Sequence, residues 1–270
     1  MLPALNIALR AVRAAGEIIM RSYERQDSFT ITQKGAHDFV TEIDQKVEQA
    51  IFRQLRQTYP DHAFLGEESG ASVENSDFLW ILDPLDGTTN FIHGFPQFAI
   101  SLALRVKGIT ELAIVYDPLA REEFTAVRGR GAKLNSRRLR VSQQPGIRDA
   151  LIGTGFPFRP EQMSQMDQYL HVFQEVARQS AGIRRAGAAA LDLAYVAAGR
   201  LDGFWESGLS IWDIAAGDLL IREAGGLVTD YAGGHDYLEK GSIIAGNARM
   251  VKALLTLILE SGKDTSATAS

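Results

Sequence analysis

The chain has 270 residues, 46% of them hydrophobic and 23% charged, enough to bury a sizeable core in one large domain or two intimate subdomains. It contains no cysteine, which excludes disulfides, thiolate nucleophiles and sulfur-ligated zinc. A net charge of -5 argues against broad nucleic-acid binding while leaving a local basic patch open, and no uncharged apolar run reaches the roughly 18 to 20 residues of a membrane span.

From Ala4 to about Tyr23, apolar residues (Leu5, Ala8, Leu9, Val12, Ile19) recur at helical spacing and predict a long amphipathic helix. Arg10 and Arg13 interrupt the apolar pattern and no A-x-A cleavage site follows, so no signal peptide is expected and the cytoplasm is the expected compartment. The polar loop from Lys34 to Asp38, with Gly35, is a candidate to close over a site. Thr41 and Asp44 have the T-x-x-D spacing of an acidic capping box, opening a second helix that Pro60 ends. Short apolar runs predict strands at Ala63 to Leu65 and Phe78 to Leu82, each running into acidic residues.

Between about Phe98 and Val127, the runs SLALRV, LAIVYD and EEFTAV predict an antiparallel meander, with turns at Lys107-Gly108 and Pro118. Gly129 to Asn135 reads as a turn region and RRLRVS as a further strand. After Pro145-Gly146 strands and helices alternate. LIGTGF is a strand, Gln162 to Gln179 a helix, a short strand follows, and Ala188 to Ala198 is a helix. Asp202 to Glu206 is a strand, and Ile211 to Ala224 a helix started by Ser210 and stopped by Gly225-Gly226. A strand near Ile243 and a helix from about Asn247 to Leu259 complete the pattern. The expected organisation is an N-terminal α+β subdomain over 1–145, a C-terminal α/β subdomain over 146–262, and a frayed tail over 263–270, too polar to offset its ordering entropy.

The five histidines are scattered without ligand spacing, so any metal site must be built mainly of oxygen, which suits Mg²⁺, Mn²⁺ or Ca²⁺. WILDPLDGTTN, Trp80 to Asn90, is the informative segment. An apolar strand ends in two aspartates three apart, and Pro84 is expected to stop the strand, leaving Asp83 and Asp86 on one side of a tight bend with the Leu85 carbonyl between them. Gly87 allows close backbone approach, and Thr88, Thr89 and Asn90 can open a helix whose free N–H groups meet an anion. D-P-x-D-G alone also fits an ordinary turn, and Asp44 and Asp213 each also sit where a capping acid would. Gly129-Arg130-Gly131 lacks the third glycine or G-K-[ST] of a nucleotide loop, and no G-x-S-x-G occurs.

DPLDGTTNF at Asp83 to Phe91 resembles the first signature of the inositol monophosphatase family of metal-dependent, lithium-sensitive phosphatases. The resemblance extends in the family's order to DFVTEIDQKVE at Asp38 to Glu48, GEES at Gly66 to Ser69, and WDIAAG with EAGG at Trp212 to Gly226. It implies an α+β fold, a layered αβαβα sandwich with the site between the halves. It also implies that Glu67, Asp83 and the Leu85 carbonyl hold one ion, that Asp83, Asp86 and Asp213 hold a second, and that a third touches Glu67. The implied cofactor is Mg²⁺, with Mn²⁺ as a substitute and Ca²⁺ or Li⁺ as inhibitors. Asp44 and Thr88 match the residues that orient and deprotonate the attacking water. Amides of Gly87, Thr88 and neighbours such as Thr89 match the phosphate cradle, and Arg184, Gly187, Ala189 and Glu206 match positions near the bound alcohol.

The implied reaction is hydrolysis of inositol 1-phosphate or a similar polyol phosphate by a metal-activated water, without a covalent intermediate. A nucleotide 3′-phosphate or fructose 1,6-bisphosphate is the alternative substrate, since pocket contacts and not the motifs decide. RRAGAAALDLAYVAAGRLDGF, Arg184 to Phe204, resembles a bacterial branch of the family. That branch is associated with transcription antitermination and ribosomal RNA synthesis, which implies antitermination factors as partners. A non-catalytic binding module is therefore the competing reading, with Lys133, Arg137, Arg138 and Arg140 read either as its basic surface or as a solvated hairpin. A homodimer, involving Arg185 and its neighbours, is implied by the family.

Overall fold

Helix α1 (Leu2–Tyr23) carries Pro3 in its first turn, where a missing N–H costs nothing, and buries Ala8, Val12, Ala15 and Ile19 along one face. Helix α2 (Glu42–Thr58) opens on the capping box expected of Thr41 and Asp44 and buries Ile43, Val47, Ile51 and Leu55. The computed structural model describes residues 1–25, 31–35, 38–72, 76–157 and 160–267. A hairpin of β1 (Ile31–Gly35) and β2 (Asp38–Thr41), not anticipated from the sequence, leads into α2. Residues 36 and 37 of the loop expected to close over the site lie outside the described residues.

The first sheet has eight strands: β3 (Ala63–Gly66), β4 (Gly70–Ala71), β5 (Phe78–Asp86), β6 (Ala99–Val106), β7 (Ile109–Asp117), β8 (Glu122–Val127), β9 (Ala132–Leu134) and β10 (Arg137–Arg138). Their order is β10-β9-β8-β7-β6-β5-β3-β4, and β3 with β5 is the parallel pair. The expected meander is present as β6, β7 and β8. The strand expected over RRLRVS is confined to Arg137–Arg138; beyond it Val141 donates its N–H to the Ala224 carbonyl at 3.2 Å rather than to a neighbouring strand, and Leu139 and Val141 pack into the central core.

The second sheet has five strands: β11 (Leu151–Thr154), β12 (Gly182–Arg184), β13 (Gly203–Glu206), β14 (Leu227–Thr229) and β15 (Ile243–Gly246), ordered β12-β11-β13-β15-β14. A short α3 (Thr88–Ile92) follows β5, and a 3-10 turn (Pro160–Gln165) precedes α4 (Met166–Gln179). Helices α5 (Ala189–Ala197), α6 (Ile211–Glu223), α7 (Tyr237–Lys240) and α8 (Ala248–Ala267) complete the chain. Strand β14 and helix α7 were not anticipated from the sequence, being three and four residues long. Helix α8 is assigned through Ala267, into the segment expected to fray, and 268–270 lie outside the described residues.

Five layers result. Helices α1 and α2 cover the outer face of the large sheet, α5 and α6 lie between the sheets, and α4 with α8 cover the outer face of the small sheet. The fold is an α+β sandwich of αβαβα type. The central core mixes Ile81, Ala113 and Phe124 from the first sheet with Leu193, Leu219 and Ile243 from the second half, so the halves share one interior. Gly217 of α6 lets the two central helices approach, since a Cβ there would sit 2.5 Å from that of Leu193.

Candidate active site

Strand β5 alternates as a two-faced strand must, with Trp80 and Leu82 packed under α1 and α2 and Ile81 in the central core. Pro84 does not end it. The strand continues to Asp86, and its pairing with β6 shifts between Asp83↔Ser101 and Asp86↔Ala99. Two residues of β5 thus oppose the single Ile100, a bulge of the kind that accommodates proline within a sheet. Residues three apart on a regular strand face opposite sides, and the extra residue returns Asp86 to the side of Asp83.

Asp213 arrives from the other half. It occupies the third position of α6, where its Oδ2 accepts the Ser210 N–H at 2.7 Å, completing the capping box with Ser210. Ser101, opposite Asp83 in the sheet, donates its hydroxyl to the Trp212 carbonyl at 2.9 Å and so ties the start of α6 beside the bulge. Oxygens of Asp83, Asp86 and Asp213 lie within 4.8 Å of one another. Glu67, following β3, hydrogen-bonds to Asp83.

Burial and crowding govern the electrostatics. Burial, then the charges of Glu67, Asp86 and Asp213, pushes the Asp83 carboxyl well above the usual carboxylate range. Burial and the charge of Asp213 push Asp86 up to about 7, against the pull of N–H groups at Ala190, Leu191 and Ala189. The Ala190 N–H reaches Asp86 Oδ2 at 2.8 Å, so this aspartate from the first half supplies the cap that α5 lacks from its own Ala188. Burial also raises the Asp44 carboxyl, opposed by hydrogen bonds from Thr41 and Thr88. Glu206 is held well above its usual range by burial and then by the charges of Asp192 and Asp213, with Arg185 acting the other way.

These groups surround a cavity of about 350 Å³ between the sheets. Glu67, Asp83, Leu85, Asp86, Gly87, Thr88, Thr89, Gly187, Ala189, Glu206 and Asp213 all line it. Asp44 lies behind Thr88, which donates its hydroxyl toward Asp44 Oδ1 at 2.9 Å and toward the Leu85 carbonyl at 3.0 Å. Gly87 has a φ of +92°, and a Cβ there would sit 2.8 Å from the Gln97 carbonyl, so glycine is required by both conformation and space. Asn90 bridges the halves through Nδ2, which lies 2.8 Å from both the Gln97 and Ala186 carbonyls.

Arg184 departs from expectation. It is exposed on β12, its guanidinium donates to the Ile183 carbonyl, and it does not line the cavity, whereas Arg185 does. Arg184 is the last residue of β12, and Arg185 lies just beyond the strand's end, where the chain turns toward the cavity-lining Gly187. Asp192 belongs to no motif in the sequence. It is 2% exposed in the first turn of α5, and its charge acts on Glu206. A carboxylate inside the otherwise apolar AALDLAYVA was the available signal. Thr154 at the end of β11, the following Gly155 and Phe156, Gln162 and the segment Ser207–Leu209 also line the wall and carry no motif in the sequence.

The donor set fits hard divalent cations. It is all oxygen, and it places three aspartates, two of them less than 10% exposed, where their mutual repulsion is relieved either by protons or by a bound cation. A second groove, of about 510 Å³, lies beside α2, and among the described residues Glu48 is its one acidic lining group.

The chain is thus a five-layered α+β sandwich with a carboxylate-lined cavity between its two sheets. The chain belongs to the inositol monophosphatase family, whose model matches residues 1–263. It is 60% identical to the Nus factor SuhB of Pseudomonas aeruginosa over 261 residues, 96% of each chain. It is 51% identical to the Nus factor SuhB of Escherichia coli over 254 residues, 94% of each. Among solved structures, the extragenic suppressor protein suhB of Bartonella henselae superposes with a TM-score of 0.90 at 46% identity, covering 94% of this chain and 97% of that one. The IMPase of Thermotoga maritima superposes at 0.86 and 34% identity, covering 96% and 98%.

Proposed function

We propose that this chain is a Mg²⁺-dependent phosphomonoesterase acting on inositol 1-phosphate or a similar small polyol phosphate. The observation that carries the reading is the meeting of Asp83, Asp86 and Asp213 within 4.8 Å in one cavity. Glu67, Asp83, Asp86, Asp213 and the Leu85 carbonyl would hold two or three ions, Mg²⁺ or Mn²⁺, with Ca²⁺ and Li⁺ as inhibitors. Bound there, such ions neutralise the transferring phosphoryl group and acidify a water. Thr88 would orient that water and pass its proton to Asp44, whose burial makes it a stronger base than an exposed aspartate. The water oxygen would then bond to phosphorus as the ester P–O bond breaks, and the departing alkoxide would take a proton from solvent to leave as the free alcohol, with no residue forming a covalent intermediate. Amides from Gly87 to Thr89 would hold the phosphate, and Glu206 with the Gly187–Ala189 wall would receive the polyol hydroxyls.

Phosphate release from a panel of inositol, nucleotide and fructose phosphates, with Mg²⁺ and with chelator, tests this. Wild type should turn over the polyol ester only with metal, and Asp86→Asn should lose that turnover while keeping its fold. Unchanged turnover in Asp86→Asn would reject the site.

The relatives named Nus factor support a second role in transcription antitermination, with antitermination factors as partners and the cytoplasm as its compartment. Among the described residues no helix is long and apolar enough to cross a membrane. Complementation of a deletion strain by Asp86→Asn would support this role, and failure of a well-expressed variant would count against it. A homodimer belongs to the same reading, and its test is the mass of the protein in solution.

A further inference from the structure

Glu48 lies one turn beyond Asp44 on the buried face of α2 and is 3% exposed. Its Oε2 accepts the Glu68 N–H at 3.1 Å, and its Oε1 accepts the Ser69 N–H at 3.0 Å. It presses against Gly66 so closely that a Cβ there would sit 2.0 Å from Oε2. The carboxylate therefore grips the residues on both sides of Glu67, whose own N–H donates to the Leu82 carbonyl at 3.1 Å.

We propose that Glu48 is a positioning residue for Glu67, fixing the turn after β3 so that the Glu67 carboxylate meets Asp83 in the cation pocket. The inference rests on the metal-site reading above. A glutamate on a turn has several rotatable bonds and holds a fixed place only when the backbone beneath it is held. Two charge-assisted hydrogen bonds from one rigid helix supply that hold, and they also compensate the burial of the Glu48 charge. The same face of α2 serves both acidic loops, since Asp44 engages Thr88 beyond β5 and Glu48 engages the turn beyond β3. One helix thereby sets the separation of the two loops. Glutamine at position 48 would set an NH₂ donor against one of the two N–H groups and release that side of the turn.

The test is Mn²⁺ binding to the full chain by calorimetry, alongside melting temperature, for wild type, Glu48→Gln, Glu67→Gln and the double variant. Loss of a residue supporting a metal ligand weakens binding about tenfold or more, so Glu48→Gln should bind Mn²⁺ about tenfold more weakly. The double variant should bind no more weakly than Glu67→Gln alone, because the effect of Glu48 runs through Glu67. A general structural role would instead multiply the two losses. Glu48→Asp, which withdraws the carboxylate by one methylene, should reproduce the weakening and covers the case in which Glu48→Gln does not fold. Wild-type Mn²⁺ affinity in both Glu48 variants, or multiplied losses in the double, would overturn the positioning role while leaving the phosphatase reading intact. Wild type that binds no Mn²⁺ would overturn both.

Discussion

Thr88 donates its hydroxyl toward Asp44 Oδ1 at 2.9 Å, while Asp44 Oδ2 accepts both the N–H and the hydroxyl of Thr41 at 2.9 and 2.5 Å. One carboxylate thus caps its own helix with one oxygen and faces the cavity's threonine with the other.

That division separates stability from turnover. Thr88→Val removes the hydroxyl at constant shape, and positioned proton transfer contributes about 10²–10⁴-fold, so kcat should fall at least about 100-fold with KM little changed. Thr88→Ser keeps the hydroxyl and should stay within about tenfold of wild type. Equal losses in the two variants, measured by steady-state kinetics, would remove Thr88 from the proton path.

The raised carboxyls make metal-free stability depend on pH in the unusual direction. Asp86, at about 7, binds its proton more tightly in the folded chain than in the unfolded one, and Asp83 is shifted the same way. Their contribution is complete below the unfolded pKa near 4 and is lost as pH rises through the folded value. With chelator, the melting temperature should fall between about pH 5 and pH 8. Ca²⁺, or Mg²⁺ with phosphate, should restore it, by more at pH 8 than at pH 5.5. Asp86→Asn keeps an acceptor for α5 and removes one charge, so it should flatten the metal-free profile. A metal response independent of pH would contradict this account.

Gly217→Ala tests the central helix pair. Glycine inside a helix normally costs about 1 kcal/mol relative to alanine. Here the added Cβ would meet Leu193 side-chain atoms at 2.5–3.1 Å, and overpacking of that kind costs about 1–3 kcal/mol. Net destabilisation of about 1 kcal/mol is expected in urea unfolding, with stabilisation as the contrary result.

Arg185 and its neighbour differ in what they face. Arg185→Ala should raise KM for the phosphate ester by roughly three- to fivefold, the modest effect of a solvent-screened rim charge, while Arg184→Ala should leave it unchanged. The reverse ranking would return Arg184 to the site.

Local chemistry was legible in the order of residues. Helix caps at Thr41 and Ser210, the helical stripe of α1, the meander from β6 to β8 and the run DPLDGTTN depend on neighbours a few positions apart, so periodicity and turn chemistry expose them. The short β14, the hairpin β1–β2 and the loss of RRLRVS as a strand depend on distant partners, and such segments carry too few residues for a period to appear.

Tertiary structure alone decided how the acids meet. Sequence spacing suggests that Pro84 ends the strand, whereas the ladder with β6 absorbs it as a bulge and turns Asp86 to the side of Asp83. No string of letters shows that Ser101 draws α6 to that bulge, that Asp86 caps α5, or that Arg185 rather than Arg184 reaches the cavity. The hydrogen bonds of Ser101 to Trp212 and of Ala190 to Asp86 span 111 and 104 positions in the chain, and such terms exist only once the folded core has brought those segments together.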